Sequence, residues 1–416
     1  MRRISVLRIV AAAALGLTAT ASFADQKPTP SGSAMLTVAG KTAHWNRGAM
    51  VPERDSLMKQ RSISFERAIT TYPATLFALG SALTDQSANE VLFAPEPPPN
   101  LFTRTKAYLR EQFIALPSAS WFRRPPVPEL LTQQVRPTFW PDAQRSTNWL
   151  IGRLRAARTA RQRTFAWIHY FEPHDAHISG RSQAAFERAR RSYAERVRRV
   201  DVQIGRLVQE LERLGYLRDS LVIVFSDHGE ALGELDYFGH HVYLNQFATD
   251  VPLLLYAPGL APQRSERLVV LSDIAPTVLD WVSVASAPGD ARSLFENADA
   301  TERYGISEAF PIRGRALYDL ARVPIRDASA LTDRMQLIRT AAIDYQPKVA
   351  LVSARYRLIV NRMNGAEEFY DRVLDPTEEK DLSQDGPREL LDMREALRWR
   401  LMRLSQRIYC RVAKNP

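Results

Sequence analysis

Leu221-Val222-Ile223-Val224-Phe225-Ser226-Asp227-His228-Gly229-Glu230 is the stretch of the 416-residue chain that decides its fold. Five consecutive apolar residues, three of them β-branched, predict a strand buried on both faces, as in the middle of a parallel sheet. The run then breaks at once into a serine, a carboxylate, an imidazole and a glycine. Ahead of it, Tyr193, Val197, Val200, Ile204, Leu207, Val208, Leu211 and Leu214 recur at spacings of three and four and end at Gly215. That spacing predicts a long amphipathic helix over 186–214. Further upstream, 164–170 has strand composition and ends in Phe171-Glu172-Pro173-His174, where proline stops any regular element. A third strand is expected at 251–256. Asp273-Ile274-Ala275-Pro276 then opens a helix with an acidic cap and an early proline.

Strand and helix alternate, so the fold class is α/β, with a mostly parallel central sheet flanked by helices. Beyond about residue 345 the pattern changes to short strands at 349–352, 356–360 and 367–370, followed by a helical tail rich in Arg and Leu. Three segments are expected: 1–24, 25–345 for the main α/β domain, and 346–416 for a small C-terminal α+β subdomain. Arg2 and Arg3 precede the apolar run 9–17, and Ser22 and Ala24 stand where a signal peptidase cleaves. This predicts a signal peptide and an exported protein, periplasmic or extracellular. The alternative is an uncleaved N-terminal membrane anchor, and only then would a membrane be a partner.

Composition excludes several classes. With 45% apolar and 25% charged residues the chain is not disordered. Apart from its N-terminus, nothing approaches the eighteen or so apolar residues of a membrane span. The formal charge of +10 comes from 56 basic against 46 acidic residues, with the arginines dispersed, so nucleic acid is not an expected partner. A single cysteine, Cys410, excludes a disulfide framework and leaves His, Asp and Glu as metal ligands.

Ligand sites of open α/β sheets lie at the carboxyl ends of the strands. Asp227-His228 and His169/His174 should therefore meet there, although distant in sequence. His240 and His241 follow closely, so five of the seven histidines fall in or beside these loops, with His177 near them. A solitary histidine is usually a surface or core residue; a cluster points to chemistry. A carboxylate beside an imidazole can share one divalent cation, and further histidines can bind an anion or protonate a leaving group.

The segment from Asp219 through Asp227-His228-Gly229-Glu230 to Tyr237-Phe238-Gly239-His240, and on to Val251–Gly259, resembles the sulfatases of the alkaline phosphatase superfamily. Residues 168–174, 200–211, 273–279, 355–359 and 369–382 extend the resemblance to roughly 50–400. It implies an alkaline phosphatase-like fold and hydrolysis of a sulfate or phosphate ester. It makes Asp227 and His228 metal ligands, His174 a contact near the leaving group and His240 a ligand of the ester oxygens, with His169 and Glu230 in support. The implied cofactor is one divalent cation, calcium or else manganese or zinc. The implied partner is an anionic ester, small or linked to a polysaccharide or lipid. Segment 65–84 matches the family's nucleophile region and puts Thr75 at the nucleophile position, with Thr71 as runner-up. Phe77 and Leu79 replace the Pro and Arg usual there, and no cysteine is available for conversion to formylglycine.

A second departure lies in the first strand, expected at 34–38, where the family carries two metal-binding aspartates. Here Ala39 and Gly40 occupy those positions, with Asp55 an acid that could substitute. Two readings follow: a sulfatase-like hydrolase with a metal-assisted Thr75 nucleophile, or a catalytically silent relative that binds an anionic ligand and has lost the cation. The segment 89–148 is read as a variable insert shaping the alcohol side of the pocket.

Overall fold

The computed structural model describes residues 34–39, 60–92, 94, 96–123, 127–175, 182–286, 289–296, 303–310 and 347–413. The expected signal peptide, Gly40, Asp55 and His177 lie outside the described residues. The strands are β1 (Ala34–Ala39), β2 (Ile63–Ile69), β3 (Glu111–Pro117), β4 (Thr138–Trp140), β5 (Thr164–His169), β6 (Ser220–Phe225), β7 (Ala231–Leu232), β8 (Phe238–Gly239), β9 (Leu253–Tyr256), β10 (Gln263–Val270), β11 (Gly305–Ala309), β12 (Lys348–Val352), β13 (Tyr356–Asn361) and β14 (Glu367–Asp371). The helices are α1 (Thr75–Thr84), α2 (Ala88–Leu92), α3 (Leu101–Thr105), α4 (Ala143–Thr159), α5 (Gln183–Arg213), α6 (Gln246–Thr249), α7 (Ile274–Trp281) and α8 (Arg388–Ala413).

Eight strands form one sheet in the order β10-β2-β9-β6-β1-β5-β3-β4. Every pairing is parallel except those of β9, which runs against both β2 and β6. The sheet is thus mostly parallel, as the strand composition predicts. Side chains alternate between its faces with period two. Phe165 and Trp167 of β5 and Leu221, Ile223 and Phe225 of β6 join one core with α1 and α7. Ala166 and Ile168 of β5 and Val222 of β6 join the other core with α4 and α5. Burying each large apolar side chain of β6 contributes roughly 1.5–3 kcal/mol, so this strand anchors the residues that follow it.

β1 occupies the slot between β5 and β6, with Ala39 opposite His169 on one side and Phe225 on the other. β3 and β4 lie inside the segment read as an insert, so 89–148 supplies two strands of the main sheet. Its short, half-exposed β4 offers no apolar run to announce this. Asp273 does precede α7, but its carboxylate caps no helix amide. It accepts from the amides of Val270 and Arg292 and pairs with both ends of the buried Arg303 guanidinium at 2.6 Å.

The second sheet is antiparallel, in the order β11-β12-β13-β14. It includes 305–309, which lies before the change of pattern at 345. One face packs Leu351, Leu358 and Phe369 against Leu390, Met393 and Leu397 of α8. The other packs Ala350, Val352 and Ile359 against Ile69, Leu268 and Val270 of the main sheet. Buried Arg357 of β13 ties the two together, reaching the Leu244 carbonyl, the Thr249 hydroxyl and, at 2.5 Å, Asp250. Its Nε also lies 2.8 Å from buried Glu378, close enough for an ion pair but not aligned for a hydrogen bond.

Candidate active site

Because β2, β5 and β6 point the same way, the loops leaving their carboxyl ends share one edge of the sheet. β2 ends at Ile69, and the chain turns through Pro73 into α1, whose first residue is Thr75. No side chain caps α1 at Ala74, and the first-turn amides of a helix favour an anion. β6 ends at Phe225, two residues before Asp227, and both Asp227 and His228 are fully buried. Thr75 Oγ1 lies 3.2 Å from His228 Nε2. Thus residues 153 apart in sequence meet as a hydroxyl–imidazole pair.

The protonation of His228 follows from its other nitrogen. Nδ1 lies 2.8 Å from the Gly229 carbonyl oxygen, which can only accept, so Nδ1 carries the proton. In the neutral ring Nε2 is then an acceptor, directed at the Thr75 hydroxyl and 3.5 Å from Asp227 Oδ2. The loop is held by Ser226 Oγ, which donates to the His228 carbonyl at 2.9 Å, and by the Gly229 amide, which donates to Ala248 at 2.9 Å. A Cβ on Gly229 would stand 2.0 Å from the Phe247 carbonyl oxygen, so only glycine fits after this histidine.

His240 arrives on the hairpin β7–β8, its ring centroid 4.5 Å from that of His228. Its Nδ1 is 3.1 Å from both oxygens of the Glu230 carboxylate, so Nδ1 is the protonated nitrogen. His241 follows with φ 82°, a left-handed backbone unusual outside glycine, and donates its amide to the Pro73 carbonyl at 2.8 Å. This bond joins the histidine loop to the segment entering α1. Strain of this kind concentrates at functional sites.

His174 lies in the turn after β5, stacked on Phe171 at 4.1 Å and 6.0 Å from the His240 ring. Thr75, Asp227, His228, His240 and His174 are therefore brought to one edge, with Glu230 behind His240. His169 is buried among Phe122 and Phe171. Sequence reasoning missed Phe171, although it stands in the same loop as His174. It also missed Phe122, for which the sequence carries no signal. Beside this edge a cavity of about 230 Å³ is lined by Pro117, Trp140, His169, Tyr170, Phe171 and Glu172.

Four findings bear on relatedness. The model of the family described as Sulfatase matches residues 44–284. Choline-sulfatase of Rhizobium meliloti (strain 1021) is 27% identical over 218 residues, which is 52% of this chain and 37% of that protein, so the chain spans little more than a third of this relative's length. Among solved structures, the phosphonate monoester hydrolase of Agrobacterium radiobacter superposes with a TM-score of 0.64 at 16% identity, covering 91% of this chain and 96% of that one. A structure solved in complex with its substrate D-glucosamine-2-N,6-O-disulfate gives a TM-score of 0.64 at 13% identity, covering 91% and 98%.

Sulfatases generally use a divalent metal. The described residues do not fit a hard cation: no three or more His, Cys, Asp or Glu among them are arranged to hold one metal ion, and the strand that would complete the set ends at Ala39. Asp227 and His228 offer one carboxylate and one imidazole, where calcium takes six to eight oxygens. The fold, the register of its central strands and the family match agree: the chain belongs to the sulfatase family.

Proposed function

We propose that this protein is a hydrolase of sulfate, phosphate or phosphonate esters in which Thr75 is the nucleophile and His228 its base. The observation that carries this reading is the 3.2 Å contact between Thr75 Oγ1 and His228 Nε2, the nitrogen that the Gly229 carbonyl leaves free to accept. As Oγ1 bonds to sulfur or phosphorus, its proton passes to Nε2. The bond to the ester oxygen breaks, and His174 gives a proton to that departing oxygen. Water then attacks the threonyl ester, restores the hydroxyl and releases sulfate, phosphate or, from a phosphonate ester, the phosphonate. His240, oriented by Glu230, and the amides at the start of α1 face the non-bridging oxygens, where charge accumulates. The cavity beside Phe171 takes the alcohol portion. Relatives solved with sulfated sugars support a sugar sulfate as substrate class.

Asp227 and His228 are the pair that would hold a cation, and no step above requires one. Export remains our reading of residues 1–24; among the described residues no helix is long and apolar enough to cross a membrane. The second reading, a silent relative that binds an anionic ester, is favoured by Ala39 at the end of β1.

The deciding experiment is turnover of activated aryl sulfates, phosphates and phosphonates by wild type and Thr75→Val, with elemental analysis for bound metal. Wild type turns over at least one class and Thr75→Val loses about 10³-fold in kcat with an unchanged melting transition. Equal rates for the two proteins eliminate Thr75. Inactivity of wild type toward all three classes favours the binding reading.

A further inference from the structure

A second polar cavity, of about 80 Å³, lies where the ends of β2 and β10 meet the start of β11 and the helix α8. Thr71, Arg303, Arg400 and Arg407 line it, together with Glu90 and Asp290. Most of these charges are matched. Arg303 is paired with Asp273, and Arg407 reaches Glu90 at 3.0 Å and Asp290 at 3.1 Å. The two Arg407 pairs dock α8 on the main domain.

Two groups are not matched. Arg400, half-buried, forms no hydrogen bond or ion pair with a described residue. Burial holds its guanidinium below the ordinary arginine range; Asp290 opposes this at longer range, while Arg303, Arg292 and Arg407 add to it. Thr71 is only 3% exposed, and its hydroxyl has no hydrogen-bond partner among the described residues. A buried donor without an acceptor is costly. Here one lines the same cavity as a cation that also lacks a contact. The two groups call for the same kind of atom, an oxygen that accepts hydrogen bonds and carries negative charge.

We propose that this cavity binds one free inorganic tetrahedral oxyanion, sulfate or phosphate, held by the Arg400 guanidinium and the Thr71 hydroxyl. A guanidinium fork matches two oxygens of such an ion, and a third accepts from the hydroxyl. The volume holds on the order of five water-sized groups, enough for the five atoms of the ion and too small for a sugar ester. Thr71, the runner-up for nucleophile by sequence position, thus lines this cavity, while Thr75, four residues later, faces His228. The inference does not depend on the proposed reaction, although that reaction would release this ion.

The test is equilibrium binding of inorganic phosphate and of inorganic sulfate to the full chain at constant ionic strength, with chloride as control. Wild type, Arg400→Gln, Thr71→Val and Thr75→Val are compared, and thermal melts follow each. Arg400→Gln is expected to bind one ion fewer than wild type, or to bind that ion about tenfold or more weakly. Thr71→Val weakens the same ion by several-fold, while Thr75→Val keeps it. Without added anion, Arg400→Gln melts at or above the wild-type temperature, because it removes a partly buried cation lying among other arginines. Loss of binding therefore cannot be mistaken for misfolding. Equal stoichiometry and affinity in wild type and Arg400→Gln overturn the proposal, as does the absence of phosphate or sulfate binding by wild type.

Discussion

Carboxylates at the candidate active site and carboxylates at the junction of the two sheets are partnered by different bases. At the site the neighbours are imidazoles: Glu230 accepts from His240 Nδ1, and Asp227 Oδ2 lies 3.5 Å from His228 Nε2. At the junction they are guanidiniums: Asp250 meets Arg357 and Arg372, and Glu378 meets Arg357. An arginine stays charged at any pH a protein survives, so its pairs can only hold the structure. An imidazole exchanges protons near neutrality and presents one nitrogen as acceptor while the other donates. The same carboxylate chemistry thus serves rigidity in one region and proton handling in the other, and substitutions should separate the two.

The largest effect is expected at the junction. Arg357→Met fills similar space but leaves Asp250 and fully buried Glu378 without their shared cation, which should cost roughly 3–5 kcal/mol in urea unfolding. A loss below about 1 kcal/mol would break the structural half of the comparison. Glu308 of β11 sharpens it, because this carboxylate is hydrogen-bonded by Asn89 through its backbone and side-chain amides rather than by a cation. Burial pushes the Glu308 carboxyl up to about 7. The folded state therefore keeps a proton that the unfolded chain releases near pH 4.5. Its contribution to stability is full below pH 4.5, declines as pH rises to about 7, and leaves a constant penalty above that. Glu308→Gln should remove this slope and exceed wild type at pH 8 by on the order of 3 kcal/mol. Parallel stability–pH curves for the two proteins would show that Glu308 is ionised in the fold.

How far such assignments were legible in the sequence depends on how local their causes are. β6 and α5 announce themselves because burial on two faces leaves an unbroken apolar run and burial of one stripe leaves a 3.6-residue period. Asp227, His228 and Gly229 could be read for the same reason, being consecutive and directly after the run. β4 could not: it has three half-exposed residues and owes its place to the register with β3. β11 hides because its inner positions include Ser307 and Glu308, whose burial depends on distant residues. The Arg357 network is equally silent, since Asp250 lies 107 residues away. Family resemblance located Thr75, but which nitrogen of His228 faces it was fixed only by the fold of the Gly229 carbonyl.

The smallest stability effect belongs to the site, and it is the most diagnostic. Glu230→Gln keeps an oxygen able to accept from His240 Nδ1 at the same place, so the ring retains its orientation and its protonated nitrogen. What disappears is the negative charge that favours the doubly protonated ring. The pair is about one-tenth exposed on each side, and losing it should change unfolding free energy by no more than about 1 kcal/mol. If His240 faces developing charge on the ester oxygens, turnover should nevertheless fall about 10- to 100-fold, because a residue that tunes its neighbour's basicity acts on the reaction rather than on the fold. The loss should appear in kcat more than in KM and should be larger for esters with basic leaving oxygens. A variant that loses stability in proportion to rate, or loses neither, would make Glu230–His240 a structural pair like those at the junction. The contrast between imidazole and guanidinium partners would then describe composition and not function.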